Sequence, residues 1–526
     1  MDTTVPEDVK SPYTFGIDLG TSNSAIAVYM KGEARIIEIE GRQVCPSVIS
    51  VLDNGEIKVG YAAKSRLIVD PENTVASIKR EMGTNWTKQF GGLPDQTYTP
   101  ADVSAEILSK LVSGAQESGV DLKGTPRSVV ICIPANFNDA QKTATKQAAE
   151  LANLELQWLL EEPQAAALAY AVDQDRDQTI LVYDLGGGTL DVAILKVKST
   201  TEEGDRRRSA GFEFLAKEGV PRLGGDDFDR KIMEIAAAKF QETSNVDILD
   251  VSKDQGISPK AIREAQQKLK EAAEAAKIEL TEAESSKIII PNLIKDESGN
   301  LHSLDMHITR EELNGLIREL VMQSKSAVER ALTSAEMTIE DISRIILVGG
   351  STKVPLVKGM LTEIFGREPY GDLNPDTVVA RGAAIYGATF ETPDLPEGDR
   401  FDGGITINNI VTHYLGIETA GGKFVYILEK GAEIPTEEPL TAGKVFVTPR
   451  DDMTTLAIRV YQSDREAEFV RSEGVDFIGE FFLKGIPPKP RGQEQVTVTF
   501  QIDQQNLLTV TATSPNVSGE LEIQRS

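Results

Sequence analysis

One pattern occurs twice in this chain, and it restricts the fold more than any other feature. Residues 179–196 read TILVYDLGGGTLDVAILK. An apolar run over 180–183 leads into Asp184, then Gly186, Gly187, Gly188 and Thr189, and a second run resumes with Val192 and Ile194 alternating against Ala193 and Leu195. Two strands around a glycine turn make a hairpin. Its tip presents backbone N–H groups that no side chain covers, a concavity suited to phosphate oxygens. Asp184, Thr189 and Asp191 bring carboxylates and a hydroxyl to the same tip, which suits a hydrated divalent cation. Taken alone, the stretch reads equally well as a glycine-rich hairpin with surface acids.

Residues 13–30, YTFGIDLGTSNSAIAVYM, repeat the device: an apolar strand, the turn Asp18-Leu19-Gly20-Thr21 followed by Ser22 and Asn23, and a second apolar strand. Two copies suggest a duplicated α/β domain whose halves grip opposite sides of one phosphate chain. Neither copy is a Walker-type loop, because G-x-x-x-x-G-K-[ST] is absent from the sequence. Neither is a dinucleotide fingerprint, because strand rather than helix follows the turn.

Composition narrows the class. At 526 residues the chain exceeds a single core and divides into roughly two to four domains. The balance of 55 Lys and Arg against 82 Asp and Glu gives a net charge of −27. Nucleic acid and anionic membranes are therefore excluded as general partners, since neither attracts so acidic a chain. Cys45 and Cys132 imply no disulfide framework, and His302, His307 and His413 show no zinc spacing. The polar start MDTTVPEDVK is unlike a secretory leader, and no apolar run approaches the ~20 residues of a membrane span. A cytoplasmic protein is the expectation.

Between the hairpins, strands alternate with helices, the α/β signature. Lys79 and Arg80 stand near a helix, where a solvated face is the bland reading. Helical spacing covers 101–117, SVVICIP at 128–134 is a buried strand, and a helix capped near Asn138 follows over 139–151. Glu161 and Glu162 precede Pro163, which can open the next helix. After a charged loop, TEEGDRRRS, the turn holding Gly224, Gly225 and Asp226 opens a helix, and glycines there favour an anion. Glu274, Lys277 and Thr281 share one face of a helix over 259–281, as an ordinary ion pair would. RIILVGGSTK, with Gly349, Gly350, Ser351 and Lys353, is a further strand-to-glycine turn, and Asp376 lies beside a helix of small residues. Residues 391–404 are acidic and rich in Pro and Gly, a linker composition. Beyond them the period switches to two, as in Val496, Val498, Phe500 and Ile502, and about eight such strands make a β-sandwich.

In order, IDLGTSNS, SIKREMG, IPANFNDAQ, EEPQAAALAY, YDLGGGTLDV, LGGDDFD, LKEAAEAAKIEL, ILVGGSTK, NPDTVVARGAA and LGIET resemble the motifs of the seventy-kilodalton heat-shock chaperone family (DnaK type). The resemblance implies an actin-like, duplicated ribonuclease-H-like α/β ATPase domain over 13–390 and a linker over 391–409. An all-β sandwich binding extended apolar peptides then covers 410–526, and 1–12 is a disordered N-terminus. The resemblance puts Gly20, Thr21, Ser22 and Asn23 on the phosphates, with Lys79 beside the γ-phosphate and the attacking water. Asp18, Glu162 and Asp184 hold Mg²⁺ through its waters, Thr189 meets the γ-phosphate, and Gly186, Gly187 and Gly188 cradle it. Gly224, Gly225 and Asp226 contribute to the same nucleotide site. Glu274, Lys277 and Thr281 clamp the adenosine, Gly349, Gly350 and Ser351 let the base approach, and Lys353 and Asp376 lie near that pocket. ATP or ADP with Mg²⁺ are the implied cofactors, and K⁺ is admitted beside them.

The sequence also departs from the family. Lys353 stands where arginine usually lies flat on the base, so weaker nucleotide binding is expected. Asn136 and Lys142 replace a usual tyrosine and arginine, and GITINN at 404–409 replaces an apolar linker. In the sandwich, Ile417, Phe446 and Leu456 keep apolar peptide-pocket positions, and Ala420 and Pro449 take the positions that arch over a peptide. A purely structural core is the other reading of those three apolar residues. With the sequence stopping at Ser526, a variant without the helical lid is expected, binding unfolded or extended polypeptides that exchange fast. An ATP-hydrolysing chaperone is the leading expectation, with a J-domain co-chaperone and a nucleotide exchange factor as implied partners. An ATP-holding co-chaperone or assembly scaffold is the alternative.

Overall fold

The computed structural model describes residues 9–522 apart from 172–176, 200–209, 391–393, 402–404, 435–437, 504–506 and positions 221, 397, 412, 464 and 516. The charged loop after Thr200, much of the acidic connecting stretch and the turn after Asp503 fall largely outside the described residues.

The first hairpin forms from Thr14–Asp18 and Asn23–Met30, with Asp18 opposite Ala25. Ser128–Ile133, buried throughout, pairs parallel to its first strand, and Glu155–Glu161 pairs parallel beyond that. Two helices complete this lobe, Pro100–Glu117 and Asp139–Leu151, each started by a capping box, on Thr99 and Asn138 respectively.

The second hairpin, Gln178–Leu185 and Leu190–Ser199, has the same surroundings. Arg344–Val348 runs parallel on one side and Ala210–Val220 antiparallel on the other. In both sheets parallel strands flank the first strand of the hairpin, and an antiparallel strand flanks the second. Between the sheets lie the helices Glu162–Ala171 and Val378–Gly387, made mostly of small residues. A Cβ on Gly382 would fall 1.8 Å from the Ala165 carbonyl oxygen, so the backbones touch and no larger residue fits. This contact joins the lobes and sets the hairpin tips opposite one another.

Within the expected N-terminal segment, Lys10 bridges Thr125 and the buried Ser11 hydroxyl donates to the Leu122 carbonyl at 2.6 Å, while Val9 and Lys10 stay exposed. Residues 1–8 lie outside the described residues. The connecting segment also acquires structure. Its strand Ile405–Ile410 pairs parallel with Ala210–Glu213 of the second lobe and antiparallel with Glu433–Ile434. The backbone makes the ladder, and the apolar positions that the segment retains, Ile405, Ile407 and Ile410, pack on the core shared by the two lobes.

Two four-stranded sheets follow, running Lys423–Leu428, Tyr414–Thr419, Thr455–Ser463, Val475–Lys484 and Leu440–Val447, Gln495–Ile502, Leu508–Ser514, Val517–Glu522. Alternate residues such as Val496, Val498, Phe500 and Val460 fill the space between them. The sandwich rests on the first two lobes. The Leu508 N–H donates to the Asp139 carboxylate, and Lys430 meets Glu218 at 3.2 Å.

Candidate nucleotide and metal site

The two hairpin tips meet across a cleft of about 300 Å³. Gly187 shows how closely: a Cβ there would sit 2.1 Å from the Ser22 hydroxyl of the other hairpin. Gly349 is the second position where only glycine serves, with φ at +82° and a Cβ that would strike the Leu185 carbonyl at 2.4 Å.

Each tip is held differently. In the first, Gly20 N–H donates to the Ser24 hydroxyl at 3.2 Å and the Ser47 hydroxyl donates to the Gly20 carbonyl at 2.7 Å. In the second, the Gly186 carbonyl accepts from Gly225 N–H at 3.0 Å and from the Ser351 hydroxyl at 2.8 Å. The Gly187 carbonyl accepts from Asp226 N–H at 2.9 Å. The helix Gly225–Ser244 thus starts against the glycine turn.

Acids and one lysine gather between the tips. Lys79 pairs with Glu162 at 2.5 Å, both nearly buried. Burial alone would lower the Lys79 pKa, but Glu162 and Asp18 outweigh it and raise it. Asp18 is pushed up to about 7 by burial first and by Glu162 second. Asp184 rises well above the carboxylate range through burial, Glu162 and Asp191. These acids repel one another in a poorly solvated space, the electrostatic arrangement a divalent cation relieves. Among the described residues no group of three or more His, Cys, Asp and Glu side chains is placed to chelate a metal directly.

At the far end of the cleft, Glu274 is met by Lys64 of the first lobe at 3.0 Å, and Lys277 pairs with Asp229 at 2.8 Å. Thr281 lines the cleft, its hydroxyl donating to the Ile278 carbonyl. Lys353 is held by Asp376 at 2.5 Å. Of the nucleotide-site residues read from the sequence, Gly188, Gly224 and Asp191 do not line the cleft. Gly188 packs on Arg80 and Thr21, and Gly224 on the Gly187 backbone. Asp226 lines it, but its carboxylate is engaged by the Ser77 hydroxyl at 3.1 Å and by Lys270 at 3.5 Å.

The sequence pattern of the Hsp70 protein family matches residues 14–526. Chaperone protein DnaK from Thermotoga neapolitana is 40% identical over 507 residues, covering 96% of this chain and 78% of that protein. DnaK from Thermotoga maritima and from Thermosipho africanus match with the same identity and coverage.

The chain belongs to the Hsp70 family.

An Hsp70 protein is an ATP-dependent molecular chaperone and an ATPase, and this chain is one. Its fold is the family's, an actin-like ATPase domain followed by a β-sandwich. Members bind ATP or ADP with Mg²⁺ and engage unfolded polypeptides and co-chaperones. No helix among the described residues is long and apolar enough to cross a membrane.

Sequence reasoning missed one residue that joins the lobes beside this Hsp70 cleft. Arg80, read as part of a solvated face, reaches across it. Its guanidinium donates to the Gly187 and Gly188 carbonyls at 3.1 Å each and to Asp227 at 3.2 Å. The signal was adjacency to Lys79, which spacing alone cannot turn into a contact more than a hundred positions away. Asp191 does not face the nucleotide cleft; Asn136 donates to it at 2.8 Å, and burial followed by Glu162 pushes it up to about 7.

In the sandwich, Ile417 sits in the core at 4% exposure, while Phe446 and Leu456 are half-buried at its margin and Ala420 is exposed in the turn after Tyr414–Thr419. The apolar positions therefore do not share one environment.

Proposed function

We propose that this Hsp70 protein binds ATP in the cleft and cleaves its terminal phosphoryl bond slowly, with each lobe a ribonuclease-H-like unit carrying one phosphate-gripping hairpin. One observation carries the reading: both glycine turns, Asp18, Glu162, Asp184 and Lys79 line one cavity together with Glu274, Lys277, Gly349 and Ser351. A triphosphate needs backbone donors for its oxygens, acids for its hydrated cation and a lysine for developing charge. Asp18, Glu162 and Asp184 are the residues that would hold hydrated Mg²⁺, which would supply positive charge against that of the phosphates. Lys79 orients a water toward the terminal phosphorus, and the Thr189 hydroxyl meets the γ-phosphate. Glu274, Lys277 and Thr281 hold the sugar and base, with Ser351 and Gly349 leaving space beside them, and K⁺ is an accompanying ion. The protein acts in the cytoplasm.

The sandwich takes extended apolar segments. Val445 and Val447 are 60% and 51% exposed on the sheet-edge strand Leu440–Val447, beside half-buried Phe446. An edge strand with apolar side chains suits an extended peptide, which main-chain groups hold and pockets select. A J-domain protein and an exchange factor are the partners of this cycle.

Single-turnover hydrolysis, with and without an extended apolar peptide, tests the reading. Cleavage that the peptide accelerates is the expected result. ATP held without cleavage would instead make the protein a nucleotide-dependent scaffold.

A further inference from the structure

The nucleotide cleft has a second opening at its phosphate end. Thr21, Lys79 and Thr189 line the cleft, and they also line a neighbouring cavity of about 430 Å³ on the side away from the base pocket. That cavity runs between the lobes and ends under the sandwich, where His413, Lys430 and Gln462 form its far wall. Six lysine and arginine side chains line it, and five of them are paired with carboxylates: Lys79 with Glu162, Arg80 with Asp227, Lys217 with Glu161, and Arg330 and Lys430 with Glu218. The sixth, Arg222, has no carboxylate partner among the described residues and is exposed, a cation available to a small dianion on its way outward.

We infer that inorganic phosphate leaves through this second cavity, and that the docked sandwich closes its outer end. The inference rests on the ATPase reading of the cleft. A nucleotide held by Glu274, Lys277 and Ser351 would fill the base side of the cleft and leave the freed phosphate the side where Thr189 and Lys79 already face the other cavity. The closing element is an interdomain ion pair. Glu218, on the strand Ala210–Val220, accepts from Lys430 of the sandwich at 3.2 Å and from Arg330 of the second lobe at 3.2 Å. The same strand carries the connecting segment Ile405–Ile410. Withdrawal of the sandwich therefore takes Lys430, His413 and Gln462 from the wall together and opens the passage, so docking retains phosphate and undocking releases it.

The test separates three rates in the full chain. Cleavage is followed by rapid quench, phosphate release by a fluorescent phosphate sensor, and ADP release by a fluorescent analogue. Lys430→Met removes the sandwich's half of the ion pair. It should leave cleavage unchanged, speed phosphate release about threefold to tenfold, and leave ADP release unchanged. Gln462→Trp, which narrows the passage, should slow phosphate release alone. Entry of radiolabelled inorganic phosphate into the ADP-loaded protein should follow the same two variants, and this arm requires no cleavage. Failure to cleave ATP would thus overturn the ATPase reading, while phosphate entry still decides the route. Phosphate rates that ignore both variants, or that change only in step with ADP release, would overturn the second passage.

Discussion

The two hairpins of the cleft share a sequence pattern but not a means of support. The tip at Asp18 is tied within its own lobe by Ser24 and Ser47, whose hydroxyls lie 2.9 Å apart. The tip at Asp184 is tied by Gly225, Ser351 and, from across the cleft, Arg80. The first tip can keep its shape when the lobes separate. The second loses a donor to two of its carbonyls at that moment. Lobe closure is therefore read by the second hairpin, and the asymmetry lies in contacts that the repeated motif does not encode.

Four measurements press on this contrast, the largest effect first. Lys79 serves both tips, so Lys79→Met should lower single-turnover hydrolysis about 10²- to 10³-fold while ATP still binds. Cleavage at an undiminished rate would remove Lys79 from the chemistry. Arg80→Gln should cost about tenfold in hydrolysis and speed nucleotide release, because only the second tip and the lobe contact are lost. Ser47→Ala, which loosens the first tip, should do less in both respects; equal effects would erase the asymmetry.

A third measurement uses the acids, one from each hairpin. Without a cation Asp18 titrates near 7 and Asp184 above the usual range. Both are raised, so below neutral pH the metal-free cleft carries protons that cation binding must expel. Mg²⁺ affinity should rise as pH climbs through about 7, where Asp18 gives up its proton, since less proton release is then required. Calorimetry at pH 6 in buffers of different ionisation enthalpy should show the released protons; none released would contradict the charge crowding. The smallest effect is at the base end. Lys353→Arg should tighten nucleotide about threefold by adding a planar group, despite the Asp376 pair. A titration with no tightening would show that Asp376 holds either side chain away from the base.

Much of this was legible in the sequence for a local reason. The hairpins, the caps at Thr99 and Asn138, the buried strand at 128–133 and the alternation at 496–502 are each set by neighbours within a few positions. What escaped depends on long-range approach. Arg80 and Gly187 are 107 positions apart, and nothing in the periodicity of either stretch anticipates their contact. Glu161 and Glu162 read as a double acid, yet Glu162 meets Lys79 while Glu161 meets buried Lys217 at 2.6 Å. Residues 9–12 are short and polar, with no period to announce that Ser11 is buried. In the sandwich, apolar character at 417, 446 and 456 could not distinguish a core side chain from one at the margin, because both are hydrophobic positions on alternating strands.

The strand Ile405–Ile410 has neighbours from two domains, Ala210–Glu213 on one side and Glu433–Ile434 on the other. Peeling it away exposes an edge on each, so partial release leaves two unmatched rows of N–H and C=O groups. The segment is anchored by side chains as well, because Ile405, Ile407 and Ile410 pack on the core shared by the two lobes. Its release therefore exposes apolar surface together with backbone groups, and both must be covered again when it docks.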